Sequence, residues 1–341
     1  MRKAAGILIA MCALAGGARA DAVSDFYQGK TVNLYIGYGP GGAYDTYSRL
    51  LARYMPSHLP GNPTFVPQNM PGASSMRMAN FLARVAPKDG TAFGAVNSAL
   101  IFDPLFAGAR SQAQFKGPDM TMIGNVVSSA SVLVAWAATG VKTLDDVRER
   151  GLTIGATSPS GDTYLLPLSV KNILGLDRLK IVIGYPGTRE AALALEQGEI
   201  SGRVWDMEGI KASRPDWLRD GKINIVAQLA PQKMPEVPAH VPLIKDYVKN
   251  PAERAALDVI FMSTVLARPY IAPEGIPAER VKALRSAFIK ALEDPELLAE
   301  AKKRDLTIDP TSGERMQQII DEAYRLPAAT VETVRRALTT P

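Results

Sequence analysis

The chain has 341 residues, 39 Lys and Arg against 34 Asp and Glu, one cysteine (Cys12) and two histidines (His58 and His240). That inventory excludes a disulfide framework and leaves no His/Cys cluster for a zinc site, which needs three or four ligands. The basic residues are scattered among Asp and Glu instead of gathered into a nucleic-acid footprint, and the length suits two domains of ordinary size.

In chain order, the first twenty residues read as an address. Arg2 and Lys3 form a positive start, Ala4 to Leu14 is apolar, and Ala18-Arg19-Ala20 has the small-x-small form of a cleavage site before Asp21. The apolar run is shorter than the roughly 20 residues a membrane span needs. Met11 precedes Cys12 where a lipoprotein would want a small residue. Removing Arg2, Lys3 and Arg19 with the signal leaves 36 basic and 34 acidic residues and a net charge of +2. The cleaved chain would have no cysteine.

The body alternates strand and helix patterns. Thr31 to Tyr38 predicts a strand, broken by Gly39-Pro40-Gly41-Gly42. Tyr47, Leu50, Leu51 and Tyr54 then recur at helical spacing. Thr64 to Gln68 is a second strand, Ala73 to Val85 a helix, and Thr91 to Asn97 a strand after the turn Pro87-Lys88-Asp89-Gly90. In the middle, strands are expected at Val132 to Ala137, Gly151 to Thr157, Lys180 to Tyr185, Gly202 to Trp205 and Ile223 to Leu229. Helices are expected after the capping box Thr143-x-x-Asp146, around Leu166 to Leu174, and at Glu190 to Gln197. The last third reads as helical: Pro277 suits a first helical position, Val281, Leu284, Phe288 and Leu292 form a stripe, and Thr311-x-x-Glu314 resembles another capping box. This part is expected to return to the first domain. Alternating units of this kind predict two α/β domains with mainly parallel sheets.

Two strand–loop–helix units, residues 32–54 and 152–174, carry the chemistry. A helix start presents unpaired N–H groups and the positive end of a dipole, a natural seat for a carboxylate or phosphate. Gly41 and Gly42 would let an anion approach the first loop, and Ser158, Ser160 and Thr163 add hydroxyls to the second. One such loop alone would be an ordinary turn; two, one in each half, point to a site between domains. Gly37-x-Gly39-x-x-Gly42 has the form of a dinucleotide fingerprint, but the next strand ends Val66-Pro67-Gln68-Asn69 without the acid that would hold a ribose. Gln28-Gly29-Lys30-Thr31 ends like a phosphate-binding loop but precedes its strand and has Ser24 where the first glycine belongs.

The chain resembles the periplasmic receptors of tripartite tricarboxylate transporters, the TctC or Bug-type family. The matching stretches run in the family's order: Phe26-Tyr27-x-Gly29-Lys30, Gly39 to Asp45 with Arg49, Asn69-x-Pro71-Gly72-Ala73-Ser74, Pro87-x-Asp89-Gly90-Thr91, Gly155 to Ser158, Gly184 to Gly187, Pro269 to Pro277 and Ala291-x-x-Asp294-Pro295. The resemblance implies a type II periplasmic-binding fold, a two-lobed α/β Venus flytrap with hinge strands. It implies a signal peptide at 1–20, one lobe from 21–127 and 260–341, and the other from 128–259. Its ligand would be a small organic carboxylate, and its partner the membrane permease subunits. A monomer without cofactor, metal or nucleic acid is expected, resident in the periplasm. A receptor for an ABC importer or a chemosensor would use the same fold. An exported hydrolase fits less well, because histidine is scarce and no G-x-S-x-G is present.

Carried onto this chain, the resemblance gives a first-lobe site of Tyr38, Gly41, Gly42, Ala43, Asp45, Asn97 and Ser98. The second lobe would supply Thr157, Ser158, Ser160, Gly161, Thr163, Tyr185, Gly187 and Asp206. Asp45 is expected to fix its own loop, or to bind a ligand amine or a water, more than to touch a carboxylate. The family's second loop often ends in His; here Pro159, Asp162 and Tyr164 stand instead, and an acid there would repel an anion unless it caps the helix. Arg203 offers a guanidinium to a second carboxylate, and Trp205 a stacking face, with a surface charge and a core aromatic as the plainer alternatives.

Overall fold

The computed structural model describes residues 22–339; the expected signal peptide, Cys12 and the cleavage point lie outside the described residues. A short helix α1 (residues 22–27) leads into β1 (Thr31–Ile36), α2 (Ala43–His58), β2 (Thr64–Asn69), α3 (Met76–Arg84), β3 (Ala92–Ala95), α4 (Ser98–Phe106) and β4 (Thr121–Asn125). The chain then crosses to β5 (Ser131–Trp136), α5 (Leu144–Arg150), β6 (Leu152–Ala156), α6 (Asp162–Leu174), β7 (Leu179–Ile183), α7 (Thr188–Glu196), β8 (Gly202–Asp206), α8 (Met207–Ser213), α9 (Pro215–Arg219) and β9 (Ile223–Leu229). After α10 (Pro251–Val265) it returns through β10 (Pro269–Ala272), α11 (Ala278–Leu292), α12 (Pro295–Lys303), β11 (Thr311–Ser312), α13 (Gly313–Tyr324) and α14 (Ala328–Ala337).

Two sheets result, one per lobe, ordered β11-β4-β10-β3-β1-β2 and β7-β6-β8-β5-β9. They are mixed, not mainly parallel as the sequence suggested. Strands joined through a helix are parallel: β1 with β2, and β6 with β7. The strands by which the chain enters a sheet from the other lobe, β10 and β5, pair antiparallel with both neighbours. They arrive without a βαβ crossover, so the geometry that enforces parallel pairing does not act on them.

Between the sheets the two crossing segments pair with each other. Val126 N–H donates to Arg268 O at 3.1 Å and Ala267 N–H to Val127 O at 3.2 Å. The Asn125 side chain clamps the crossing, donating to Val127 O at 2.9 Å and accepting from Arg268 N–H at 2.8 Å.

Apolar stripes decide where the helices lie. Leu50, Leu51 and Met55 of α2 and Leu284 and Phe288 of α11 cover one face of the first sheet with Leu34, Ile36, Phe93 and Tyr270. A second cluster runs through both lobes, from Met122, Met316 and Ile320 to Leu133, Ile154 and Leu166. The division expected at residue 260 falls inside α10, which packs on α6, α4 and α14. Helix α14 covers α10 and α6 and also packs on α4 of the first lobe, because its buried stripe of Val331, Val334 and Ala337 needs that apolar surface. The capping box at Thr143 and Asp146 forms as read. The second expected box shifts by one residue: Ser312 caps α13 and accepts from Arg315 N–H. Pro277 is the residue before α11, not its first. Among the described residues no helix is long and apolar enough to cross a membrane, and no group of three or more His, Cys, Asp or Glu is placed to hold a metal ion.

Gly124 shows how tightly β4 meets α11: a methyl group there would lie 2.4 Å from the Phe288 ring. Gly124→Ala is expected to lower unfolding free energy by about 1–3 kcal/mol through overpacking, read as a shift of the urea midpoint with unchanged slope.

Candidate ligand-binding cleft

A helix that follows a parallel strand begins where the strand ends, so the helix starts of both lobes face the cleft. In the first lobe, residues 37–42 link β1 to α2. Gly41 has φ +81°, a left-handed conformation that favours glycine, and Gly42 is the N-cap of α2 with Ala43 its first residue. Asp45 fixes this turn: its carboxylate accepts from Gly41 N–H at 3.0 Å, Arg49 Nε at 2.8 Å and Asn69 Nδ2 at 2.9 Å. Residues 73–75 form the neighbouring loop, where Ala73, Ser74 and Ser75 all have positive φ. Such non-glycine residues carry strain of order 1–3 kcal/mol each. Ser75 Oγ accepts from Asn97 N–H at 2.7 Å, and a Cβ on Gly37 would lie 2.0 Å from the Ser75 Cβ, so glycine at 37 makes room for the strained loop.

In the second lobe Gly161 is the N-cap of α6. Thr163 Oγ1 accepts from Thr157 N–H at 3.1 Å, closing the turn. Asp162 opens the helix, and its Oδ1 accepts from Thr163 N–H at 2.7 Å and from Asn97 Nδ2 at 2.8 Å. The acid that looked repulsive in the sequence therefore satisfies donors of both lobes. Burial nevertheless holds its pKa above the ordinary 3.8, with the Asn97 bond opposing and the Asp206 carboxylate reinforcing the shift.

The lobes touch directly at these starts. Ser74 Oγ lies 2.5 Å from Thr157 Oγ1 and 2.8 Å from Ser158 Oγ. Asn97, the N-cap of α4, accepts from Ala99 N–H and also bonds the Tyr38 hydroxyl at 2.9 Å. A Cβ on Gly42 would meet Thr188 Oγ1 at 2.9 Å, so the starts of α2 and α7 are in contact as well. Nearer the hinge, Tyr47 donates to Glu208 Oε2 at 3.4 Å.

Tyr38, Tyr44 and Trp205 line the adjoining compartment, and two buried guanidinium groups pack against these aromatic residues. Tyr38 and Tyr44 stack at 4.7 Å between centroids. Arg268 lies 4.6 Å from the Tyr44 ring and donates to Asp206 Oδ1 at 2.8 Å. Burial pulls the Arg268 pKa down, but Asp206 and the two tyrosines more than offset it and the net shift is upward. Arg203 lies 3.8 Å from the Trp205 ring centroid, and burial pulls its pKa down to about 9. Burial raises the pKa of Tyr38 and Tyr44, so both hydroxyls stay protonated. The compartment encloses about 10 Å³, room for about one water. Beyond the Ser158–Ser160 loop lies a larger chamber of about 270 Å³, lined by residues such as Phe102, Phe106, Leu165 and Ile260. Its lining is mostly apolar.

The structure thus brings together Tyr38, Gly42, Asn97, Thr157, Ser158, Gly161, Thr163 and Asp206. Ser160 lines the apolar chamber, Ser98 is buried in the first turn of α4, and Gly187 is the N-cap of α7. Tyr185 lies elsewhere: its hydroxyl donates to Glu199 at 2.6 Å, and burial and that carboxylate push its pKa up to about 12. Sequence reasoning missed Ser74, Tyr44, Thr188 and Arg268 as cleft residues. Ser74 and Tyr44 stand within the quoted motifs, but nothing local marks Arg268, which reaches Asp206 only because the hinge strands pair.

A model of the family described as tripartite tricarboxylate transporter family receptor matches residues 48–333. A relative from Cupriavidus necator, described as a UPF0065 protein in the gbd 5' region, is 24% identical over 348 residues, covering 96% of this chain and 95% of its own length. Among solved structures, MatC from Rhodopseudomonas palustris with bound malate superposes with a TM-score of 0.69 at 17% identity, covering 91% of this chain and 99% of that one. An adipate-bound protein of Rhodopseudomonas palustris gives 0.67 at 19%, covering 90% and 97%.

Two substitutions test the cleft. A Cβ at residue 161 would lie 2.9 Å from the Ser74 Cβ across the cleft, while its own φ of −90° suits any residue. Gly161→Ala is expected to leave unfolding of the ligand-free protein within about 1 kcal/mol and to block full closure, read as a larger radius of gyration in small-angle scattering. Because the closed cleft raises the Asp162 pKa, closure is favoured below that raised value and opposed as pH rises through it. Asp162→Asn is expected to tighten carboxylate binding several-fold at neutral pH and to flatten its pH dependence, measured by titration calorimetry.

Proposed function

The chain belongs to the tripartite tricarboxylate transporter receptor family, and we propose that it is a periplasmic solute receptor that captures a small organic carboxylate and delivers it to the membrane permease of such a transporter. One observation carries this reading: helix starts of both lobes meet in one cleft, where Ser74 contacts Thr157 and Asn97 contacts Asp162. Helix starts favour an anion, and a second lobe that folds onto it excludes water and strengthens each hydrogen bond to it. The malate bound to MatC and the adipate bound to the other R. palustris protein support a carboxylate as the ligand.

The cycle needs no covalent step. An open receptor takes the anion on one lobe, the hinge around Asn125 and Arg268 bends, and the hydroxyl and amide groups of the other lobe complete the shell. The closed form then presents both lobes to the permease as a monomer. A thermal-shift screen against dicarboxylates, tricarboxylates, acidic amino acids and aromatic acids tests this. A ligand at a hundred times its dissociation constant stabilises the folded form by about 2.7 kcal/mol, which should raise the melting temperature by several degrees. Absence of any shift with every acid class, from protein free of copurified ligand, would overturn the carboxylate reading.

A further inference from the structure

The chamber beyond the Ser158–Ser160 loop is walled by both lobes. Helix α4 of the first lobe supplies Phe102, Asp103 and Phe106, and the start of α6 in the second supplies Leu165. Ile260 of α10 and Leu338, just after α14, complete the wall. The Phe102 and Phe106 rings stack at 6.2 Å between centroids. An apolar cavity of about 150 Å³ is enough to take up benzene, so the chamber's volume of about 270 Å³ admits a substituted ring or a branched chain. An apolar lining with a few placed polar groups is the usual form of a small-molecule site.

One ionisable side chain is buried in this wall. Asp103 is only 6% exposed. Its Oδ2 accepts from the Ser111 hydroxyl, while its Oδ1 has no donor among the described residues. Oδ1 is not sealed into the interior, so a small group in the chamber can reach it. Burial holds the Asp103 pKa above the ordinary 3.8, with the Ser111 bond and the Arg110 charge opposing the shift. Arg110 is an exposed part of the lining, acts on Asp103 from beyond ion-pair distance, and donates to Thr339 Oγ1 at 3.1 Å. A buried carboxylate without a cation beside it is costly, and an ammonium that pairs with it offsets that cost. An anion would meet an apolar wall and a like charge.

We propose that this chamber is a second ligand site, separate from the cleft, that takes an apolar amine, with a ring or branched hydrocarbon group against Phe102, Phe106 and Leu165 and an ammonium on Asp103 Oδ1. Its charge requirement is opposite to that of the helix starts, which favour an anion, so the two sites serve different ligand classes. The walls come from both lobes, and an occupant of the closed form makes contacts that opening removes. Amine binding and closure are therefore linked, each favouring the other. The site goes beyond the carboxylate-receptor reading and does not depend on it.

Titration calorimetry of the protein tests the site with benzylamine, phenethylamine and isoamylamine, each against the alcohol of the same skeleton. At least one amine is expected to bind about ten- to a hundredfold more tightly than its alcohol, the range of a hydrogen bond to a charged group. Asp103→Asn, which can still accept from Ser111, should abolish that preference and leave alcohol affinity within about threefold. Ala107→Phe puts a ring into the chamber from a half-buried position of its lining; it should abolish binding of amine and alcohol alike, and serves if Asp103→Asn does not fold. No amine binding, equal binding of amines and alcohols by the unaltered protein, or a preference kept by Asp103→Asn would overturn the site. Amine binding that survives Ala107→Phe, or that a carboxylate from the thermal-shift screen displaces competitively, would put the amine elsewhere and overturn it as well. Failure of every carboxylate in that screen leaves these outcomes unchanged, so the two readings fail separately.

Discussion

The direction of the strands is the constraint on which the rest depends. A right-handed strand–helix–strand unit places every helix start at the carboxyl end of its strand. Both sheets present those ends to one cleft, so N-termini from each lobe are forced together: α4 meets α6 through Asn97 and Asp162, and α2 meets α7 through Gly42 and Thr188. Each start carries unpaired N–H groups and a partial positive charge. The cleft is thus electropositive by topology before any side chain is counted.

Side chains then tune that field. Asp162 neutralises part of it from within, at the junction of two helix starts, and burial makes its charged form unfavourable. Arg268 and Asp206 pair and so hold the hinge strand to the second lobe. Of the two buried arginines among the described residues, Arg203 is the one without a carboxylate within ion-pair distance. Surface ion pairs elsewhere, such as Lys88 with Glu274, are solvent-screened and contribute little; the buried charges around the cleft are the ones that bear on function.

Strain and close packing are concentrated in the same place. Ala73, Ser74 and Ser75 hold left-handed backbone without glycine, and Gly37 and Gly161 leave no room for a methyl group beside Ser75 and Ser74. A loop held this way positions the Ser74 hydroxyl between Thr157 and Ser158, where ordinary backbone would turn it aside. The hinge, by contrast, is built of plain backbone pairing and one asparagine, which suits a segment that must bend.

Local pattern determined much of this protein. Hydrophobic periodicity located the strands and helices of the two strand–loop–helix units, the glycines marked the first turn, Thr143 and Asp146 announced their cap, and the ordered motifs pointed to the two-lobed fold. Asp45 was legible as the fixer of its own loop because its partners Gly41 and Arg49 are four residues away. Only the tertiary structure decided the rest. Sheet parity changed because β5 and β10 arrive from another lobe, α14 came to lie across α4, α6 and α10 because its apolar stripe fits that surface, and Ser312 took a cap that Thr311 seemed to own. Arg268, Ser74 and Thr188 became cleft residues through contacts that span the hinge or the lobe interface. Short-range spacing encodes which element forms and where it starts; which side chains share a cleft depends on how distant elements pack, and periodicity carries no record of that.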